Sequence, residues 1–361
     1  MTKPAVDLRS DTLTRPTAAM RQSMAAADVG DDVFGEDPTV VRLEHTTAEL
    51  LGKPAALFVP SGTMGNQLGV RVACQAGDEL ICDTQCHVYN YEQSAYAQLF
   101  GVAARAIDTP RGVPTPEQLR AAIHPDNVHF PRTRLLCLEN THNRWGGRLA
   151  SLEEVRAACE IAAEHGLARH LDGARLWNAA VADARPWREA LRAWSEPFDT
   201  VSVCFSKGLG APVGSALVGD TEAIVRARRV RKALGGGWRQ AGVVAAAALH
   251  ALEHHVERLA DDHRRAQRLA DAVRGIDGLS LVDDRCDTNL VLIDVDPGLG
   301  AASDFAGRLA DRGVHVLAIG PQRVRAVTHL EITDGALDTA REAFRGAAQS
   351  DARPRHAAES Y

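Results

Sequence analysis

The chain has 361 residues, 45% hydrophobic and 24% charged, an ordinary globular composition that excludes a disordered or fibrous protein. Its 41 basic and 47 acidic residues leave a net charge of −6, which argues against nucleic-acid binding. No run approaches the roughly 18 unbroken apolar residues of a membrane helix. The start, Met1-Thr2-Lys3-Pro4-Ala5-Val6-Asp7, has no signal-peptide apolar stretch, so a cytoplasmic protein without a membrane partner is expected.

At roughly 150 residues per domain, the length fits two domains. Asp37-Pro38 reads as a cap followed by proline at the first helical position, and Gly52 as the stop of that helix. Ala56–Val59 is a short buried strand, and Pro60-Ser61-Gly62-Thr63 turns into a second helix. Thr115-Pro116-Glu117-Gln118 and Ser151-Leu152-Glu153-Glu154 match the capping box, in which hydroxyl and carboxyl or amide satisfy free N–H groups. Strands are expected at Leu135–Leu138, Leu167–Leu171 and Thr200–Phe205. This alternation predicts an α/β fold, a mostly parallel sheet with helices on both faces. After Gly235-Gly236-Gly237 the pattern changes to one long helical stretch over about 240–272. Strands Thr288–Val295, Val314–Ala318 and Val324–Thr328 then surround the helix Ala301–Asp311. The expected division is a large domain over 13–250, a small α+β domain from 1–12 and 251–350, and a flexible tail over 351–361.

Seven cysteines, scattered and mostly among apolar residues, read as reduced core thiols rather than a disulfide framework. Cys82, Cys86 and His87 form a tempting group, but no second pair completes a zinc spacing, so no metal is expected. Only Lys3, Lys53, Lys207 and Lys232 are lysines, which leaves few residues able to serve as an amine nucleophile.

Ligands of open α/β sheets sit at the carboxyl ends of the strands. The Pro60–Asn66 segment sets glycines and hydroxyls at a helix start, where free N–H groups favour a phosphate, although such residues also serve as a plain cap. Asp172 ends one strand, where a carboxylate suits a cationic ring nitrogen, a metal or the local backbone. Lys207 follows another strand between small residues, a setting costly for a buried ammonium and suited to a Schiff base, unless the chain points back to solvent. Arg231 to Arg239 gathers cations near a glycine turn, which alone reads as a solvated face. In this order the cradle, Asp172 and Lys207 meet the needs of pyridoxal 5′-phosphate: a phosphate seat, a partner for the ring nitrogen and an amine for the aldehyde. The 35-residue interval between Asp172 and Lys207 leaves room for one crossover helix.

The same residues resemble a family. Leu8–Thr12, Gly30–Thr39, Pro60–Gln67, Leu138–Asn143, the Asp172 and Lys207 motifs and Arg325–Leu330 are similar to the low-specificity L-threonine aldolases, over nearly the whole chain. The resemblance implies the fold type I architecture with a seven-stranded sheet, a homotetramer of catalytic dimers, and reversible cleavage of L-threonine or L-allo-threonine to glycine and an aldehyde. It gives Lys207 the cofactor aldehyde, Asp172 the pyridine nitrogen, Gly62 and Thr63 the phosphate, and His87 a place stacked on the ring. Ser10, Arg175 and Arg325 receive the substrate carboxylate, Arg175 also lying by the cofactor. His129 lies near the substrate hydroxyl, and Lys232 and Arg239 are cations near the phosphate supplied across the dimer. The base is His129 or a water held by His87 and His129. Two positions depart from the family pattern: Phe34 stands where tyrosine is common, and Trp238 where methionine is common. The rival readings are another lyase or transferase acting on a β-substituted amino acid, or a cofactor-binding protein without catalysis. The joint presence of Lys207, Asp172, Arg175 and Arg325 speaks against the last.

Overall fold

Local signals in the sequence close most of the elements. Asp37 accepts from the N–H groups of Thr39 and Val40 to start the helix Pro38–Leu51, and Gly52 ends it in the left-handed conformation, φ 66°. Thr115 and Gln118 make a reciprocal capping box at the helix Pro116–Ala122. Ser151 accepts from Glu154 N–H at the start of Leu152–Glu164. These features belong to a computed structural model that describes residues 6–350; the tail expected over 351–361 lies outside the described residues, as do positions 1–5.

The chain divides into two units. The larger, Arg15–Arg144 with Leu149–Val256, is built on a seven-stranded sheet. Its strands stand in the order Ala55–Val59, Ser215–Gly219, Thr200–Cys204, Ala168–Gly173, Arg132–Glu139, Asp78–Asp83, Ala103–Ile107. Only Ser215–Gly219 runs antiparallel to its neighbours. Thr200–Cys204 and Ser215–Gly219 are buried at every residue and Arg132–Glu139 from Leu135 onward, as a sheet covered on both faces requires. Two helices, Leu176–Ala182 and Trp187–Ser195, connect Ala168–Gly173 to Thr200–Cys204, where one was expected. Asp183 breaks the run between them, its carboxylate taken by the backbone and guanidinium of Arg185 and by the Trp194 indole.

The smaller unit comprises the segment ending at Thr14, Trp145–Arg148, and the chain from Glu257. Its antiparallel sheet has the order Leu317–Gly320, Arg323–Val327, Leu290–Val295, Leu279–Leu281, and Val6–Asp7 pairs in parallel with Val314–His315. Phe305 and Phe344 meet at 5.9 Å in a core with Leu269, Val291, Ile293 and Val324. Trp145–Arg148 is set apart by nothing in its sequence. It is held by Thr288 Oγ1 donating to Gly147 O (2.8 Å) and by the Arg148–Asp283 pair at 2.7 Å.

Two expectations need correction. The helical stretch over 240–272 is two helices, Gly242–His254 and Leu259–Arg274, interrupted where the His255 ring turns to the Leu209 carbonyl at 2.8 Å. The strand expected over Val314–Ala318 is two short ones, Val314–His315 and Leu317–Gly320, in different sheets. Among the described residues, no helix is long and apolar enough to cross a membrane.

Candidate active site

The helix Gly62–Ala73 lies close against the sheet because glycines stand where it meets the strands. A Cβ on Gly62 would meet Cys204 Sγ at 2.7 Å, one on Gly65 would meet Ser202 Oγ at 2.4 Å, and one on Gly69 would meet the His170 ring at 2.4 Å. Positions 62, 65 and 69 share one helical face, and Ser202 and Cys204 share one face of their strand. Ser61 caps the helix by accepting from Met64 N–H. The N–H groups of Gly62 and Thr63, in the first turn, have no intrahelical acceptor to bond. N–H groups in that position suit an anion.

This close approach carries Asn66 to the carboxyl end of Ala168–Gly173. Asn66 Nδ2 lies 2.8 Å from Asp172 Oδ2, and Ala174 N–H donates to Asp172 Oδ1 at 3.1 Å. Burial works against the charge of Asp172. The nearby His87 and Lys207 charges and these two hydrogen bonds outweigh it and hold the carboxyl below the usual range. A buried anionic carboxylate, braced on one side, is the partner a protonated ring nitrogen needs.

Lys207 is half-buried in the loop after Thr200–Cys204. Phe205 N–H to Gly214 O (3.0 Å), Ala211 N–H to Phe205 O (3.0 Å) and Gly210 N–H to Lys207 O (2.9 Å) close that loop. Gly214 permits it: at φ 111°, a Cβ there would meet the Phe58 ring at 2.6 Å. Ala168–Gly173 and Thr200–Cys204 are parallel neighbours, so the Asp172 and Lys207 ends fall on the same edge. Arg175, buried, follows Asp172 as the residue before the helix Leu176–Ala182.

His87 begins a short helix, His87–Asn90, and gives its backbone N–H to Glu139 Oε2 at 2.7 Å. Its Nδ1 lies 2.9 Å from Glu92 Oε1. Burial lowers its basicity, but Glu92, Asp172 and Glu139 more than compensate, and the imidazole titrates above its ordinary value. The ligand-type atoms of His87, Glu92 and Asp172 lie within 4.8 Å of one another. The Asn66 amide nitrogen, 2.8 Å from both Glu92 Oε1 and Asp172 Oδ2, takes the place between the carboxylates that a cation would need. Cys82 and Cys86 do not supply a thiolate site either: a hydrogen bond between them and burial push the Cys82 thiol up.

The remaining expected residues lie on other elements. His129 is exposed in the loop before Arg132–Glu139, its N–H bonded to Asn127 Oδ1, beside Val128, which is 97% exposed. Lys232 is exposed at the end of the helix Thr221–Ala233, whereas Arg231 beside it is buried against Asp32 at 2.9 Å rather than solvated. Arg239 is exposed and reaches Asp31 at 3.2 Å. In the smaller unit, Arg325 Nη2 donates to the Arg9 carbonyl at 3.1 Å, which sets it next to Ser10. Ser10 Oγ accepts from Thr12 N–H and hydroxyl.

Sequence reasoning missed Asn66, Gln67, Glu92 and Asn140. Glu92, 3% exposed, accepts from Asn66 and Gln67 and lies 2.9 Å from His87 Nδ1. Asn140, whose N–H donates to Asp172 O at 3.0 Å, is 2% exposed, and both atoms of its amide group lack a hydrogen bond. A buried amide left open beside Asp172 fits a polar ligand at the strand ends. With the first-turn N–H groups of Gly62 and Thr63, and with Lys207 and Asp172 on one edge, the donor set fits pyridoxal 5′-phosphate.

The beta-eliminating lyase family model matches residues 7–297. Low-specificity L-threonine aldolase 1 of Arabidopsis thaliana is 43% identical over 338 residues, covering 92% of this chain and 93% of the relative. The low specificity L-threonine aldolase of Escherichia coli strain K12 is 41% identical over 332 residues, covering 91% and 95%. The chain belongs to the low-specificity L-threonine aldolase family. Among solved structures, a threonine aldolase of Leishmania major superposes with a TM-score of 0.80 at 18% identity, covering 94% of this chain and 99% of that one. The serine palmitoyltransferase of Sphingomonas wittichii does so at 0.73 and 17%, covering 95% and 87%; both likenesses bear on the fold alone, that of type I cofactor enzymes. Against the family pattern, Phe34 is 75% exposed and Trp238 packs edge-on to Phe58 at 6.5 Å.

Proposed function

We propose that this chain is a carbon–carbon lyase that cleaves L-threonine, L-allo-threonine and related β-hydroxy-α-amino acids reversibly to glycine and an aldehyde. Its cofactor is pyridoxal 5′-phosphate. The observation that carries the reading is the braced, buried Asp172 carboxylate on the same sheet edge as Lys207, in a chain 41–43% identical to aldolases along nine-tenths of its length.

When bound, the cofactor supplies an electron sink for the pair released as Cα–Cβ breaks. Lys207 would hold the cofactor through its aldehyde carbon. Asp172 keeps the ring nitrogen protonated, and Gly62 and Thr63 hold the phosphate with their N–H groups. Arg175, Ser10 and Arg325 take the substrate carboxylate, since a guanidinium fork matches its two oxygens. Holding the carboxylate would orient the substrate and so select which Cα bond is cleaved. The β-hydroxyl proton passes to His129, or to a water between His129 and His87. Lys232 and Arg239 serve the phosphate of a neighbouring subunit in a homotetramer of catalytic dimers. Their exposure, and that of Phe34, supports this assembly. The protein works in the cytoplasm, where seven separate thiols stay reduced.

The test is release of glycine and acetaldehyde from L-threonine and L-allo-threonine by the yellow, cofactor-loaded protein, with D-threonine as control. Equal rates on both enantiomers overturn the stereochemical reading. Pyruvate from L-serine in place of glycine from L-threonine turns it to β-elimination.

A further inference from the structure

The proton inventory around Glu92 is fully determined by its partners. Its side chain is entirely buried, and every group on it is nitrogen: Asn66 Nδ2 at 2.8 Å and His87 Nδ1 at 2.9 Å on Oε1, Gln67 Nε2 at 2.6 Å on Oε2. The Asn66 and Gln67 amides can only donate here, so the carboxylate accepts throughout. The Asn66 amide cannot flip without turning its oxygen onto two carboxylates. Its oxygen is already taken by His170 Nε2 at 3.2 Å, and His170 Nδ1 by the Thr200 hydroxyl at 2.8 Å. Burial pushes the His170 imidazole down to about 4, so that ring is neutral and donates through Nε2. Thr200, His170 and Asn66 therefore form a fixed chain that ends on Glu92 and Asp172 together. A His87 ring without hydrogen on Nδ1 would set a lone pair against the Glu92 carboxylate.

We propose that Glu92 is a positioning residue of the reaction: it holds a proton on Nδ1 of His87, so that Nε2 is the working nitrogen, and through Asn66 it ties this arrangement to Asp172. The charged groups that face the His87 ring are Glu92, Asp172 and Glu139, and the Tyr91 ring lies 5.7 Å away. Of these carboxylates, Glu92 alone is hydrogen-bonded to the ring; Glu139 holds the His87 backbone instead. A hydrogen bond at one imidazole nitrogen decides what the other can do, and here it leaves Nε2 to exchange a proton with the water between His87 and His129. The inference rests on the aldolase reading for what Nε2 works on, but not for the tautomer.

The test is magic-angle-spinning 15N NMR of the cofactor-loaded protein carrying ring-labelled histidine, with His87→Phe to assign the signal. As pH rises, the wild-type ring should lose its Nε2 proton and keep the one on Nδ1. In Glu92→Gln, His87 should titrate at lower pH and populate both tautomers. That variant's kcat on L-threonine should fall by about tenfold or more, a part of the roughly 10²–10⁴-fold of general acid–base catalysis, with KM and cofactor affinity little changed. Loss of the Nδ1 proton first in the wild type overturns the proposal, even if the variant fails to fold. So does a folded, loaded Glu92→Gln protein with the wild-type His87 signal and kcat. Should the tautomer hold but threonine go uncleaved, the aldolase reading fails and the positioning role stands.

Discussion

A methyl group on Gly69 would lie 2.4 Å from the ring of His170. The helix and the strand approach this closely because the helix has glycine there, and the His170 ring cannot yield, being pinned between Thr200 and Asn66. Asn66 lies one turn before Gly69, so any outward shift of the helix withdraws its amide from Asp172. Gly69→Ala should gain helix propensity and still destabilise the protein by about 1–3 kcal/mol, the scale of overpacking. Cofactor affinity should fall with it. Urea unfolding of the apo-protein and a cofactor titration check both; a variant more stable than wild type would show that the helix–sheet contact is slack.

His170 also gives the fold an acid limit. Burial lowers its imidazole from an ordinary 6.5 to about 4. The folded state therefore keeps the ring neutral in a range where the unfolded chain takes up a proton. Stability is complete above about 6.5 and drains away as pH falls toward 4, at about 1.4 kcal/mol per pH unit for one such group. Other groups titrate in the same window, Asp262 being raised to about 6 with the opposite sign. Comparing wild type with His170→Gln cancels what they share. The variant should be less stable at pH 7.5, and the gap should narrow by pH 5. A gap independent of pH would mean that His170 titrates in the fold as it does in the unfolded chain, and a gap that widens toward pH 5 that it is charged there.

Arg325 should separate substrate from cofactor. The residue is 8% exposed, and its guanidinium reaches the Arg9 carbonyl beside Ser10. With a carboxylate partner, its loss costs about 1.5–3 kcal/mol, roughly ten- to a hundredfold in affinity. Arg325→Ala should therefore weaken glycine and threonine binding on that scale and leave cofactor affinity near wild type. A variant that loses cofactor and keeps substrate affinity reverses the assignment.

What the sequence made legible were groups whose chemistry is unusual for their place. A lysine after an apolar strand, an aspartate at a strand end, and Asp37 and Gly52 at the two ends of a helix all announce themselves without tertiary context. Asn66, Gln67 and Glu92 did not, because a polar residue on a helix or in a loop reads as solvated until the fold buries it. Only the contact of Gly62, Gly65 and Gly69 with Ser202, Cys204 and His170 turns Asn66 inward. Asp78–Asp83 escaped for a related reason: four of its six residues are Asp, Glu or Cys, yet all six are buried, with Arg132 and Thr109 as partners for Asp78 and Asp83. The break between Gly242–His254 and Leu259–Arg274 has no proline or glycine to mark it; it follows from a tertiary bond of His255 to Leu209.

The assembly makes the strictest demand. Lys207 and Asp172 sit on the edge of the large sheet, whereas Arg239 is exposed, its guanidinium held near Asp31. If Arg239 serves the phosphate of a neighbouring subunit, each active site is built from two chains. Lys207→Ala leaves Arg239 intact, and Arg239→Ala leaves Lys207 intact, so both parents should be nearly inactive for different reasons. Unfolding and refolding an equal mixture produces mixed dimers in which one site has both groups native and the other has neither. Random pairing on a two-fold assembly makes about half of the dimers mixed, each with one good site of two, so about a quarter of wild-type activity should return. Arg239 acting within its own chain predicts no recovery, because no chain then carries both groups. A mixture that native mass spectrometry shows to contain mixed dimers, yet which stays as inactive as its parents, would assign Arg239 to its own subunit.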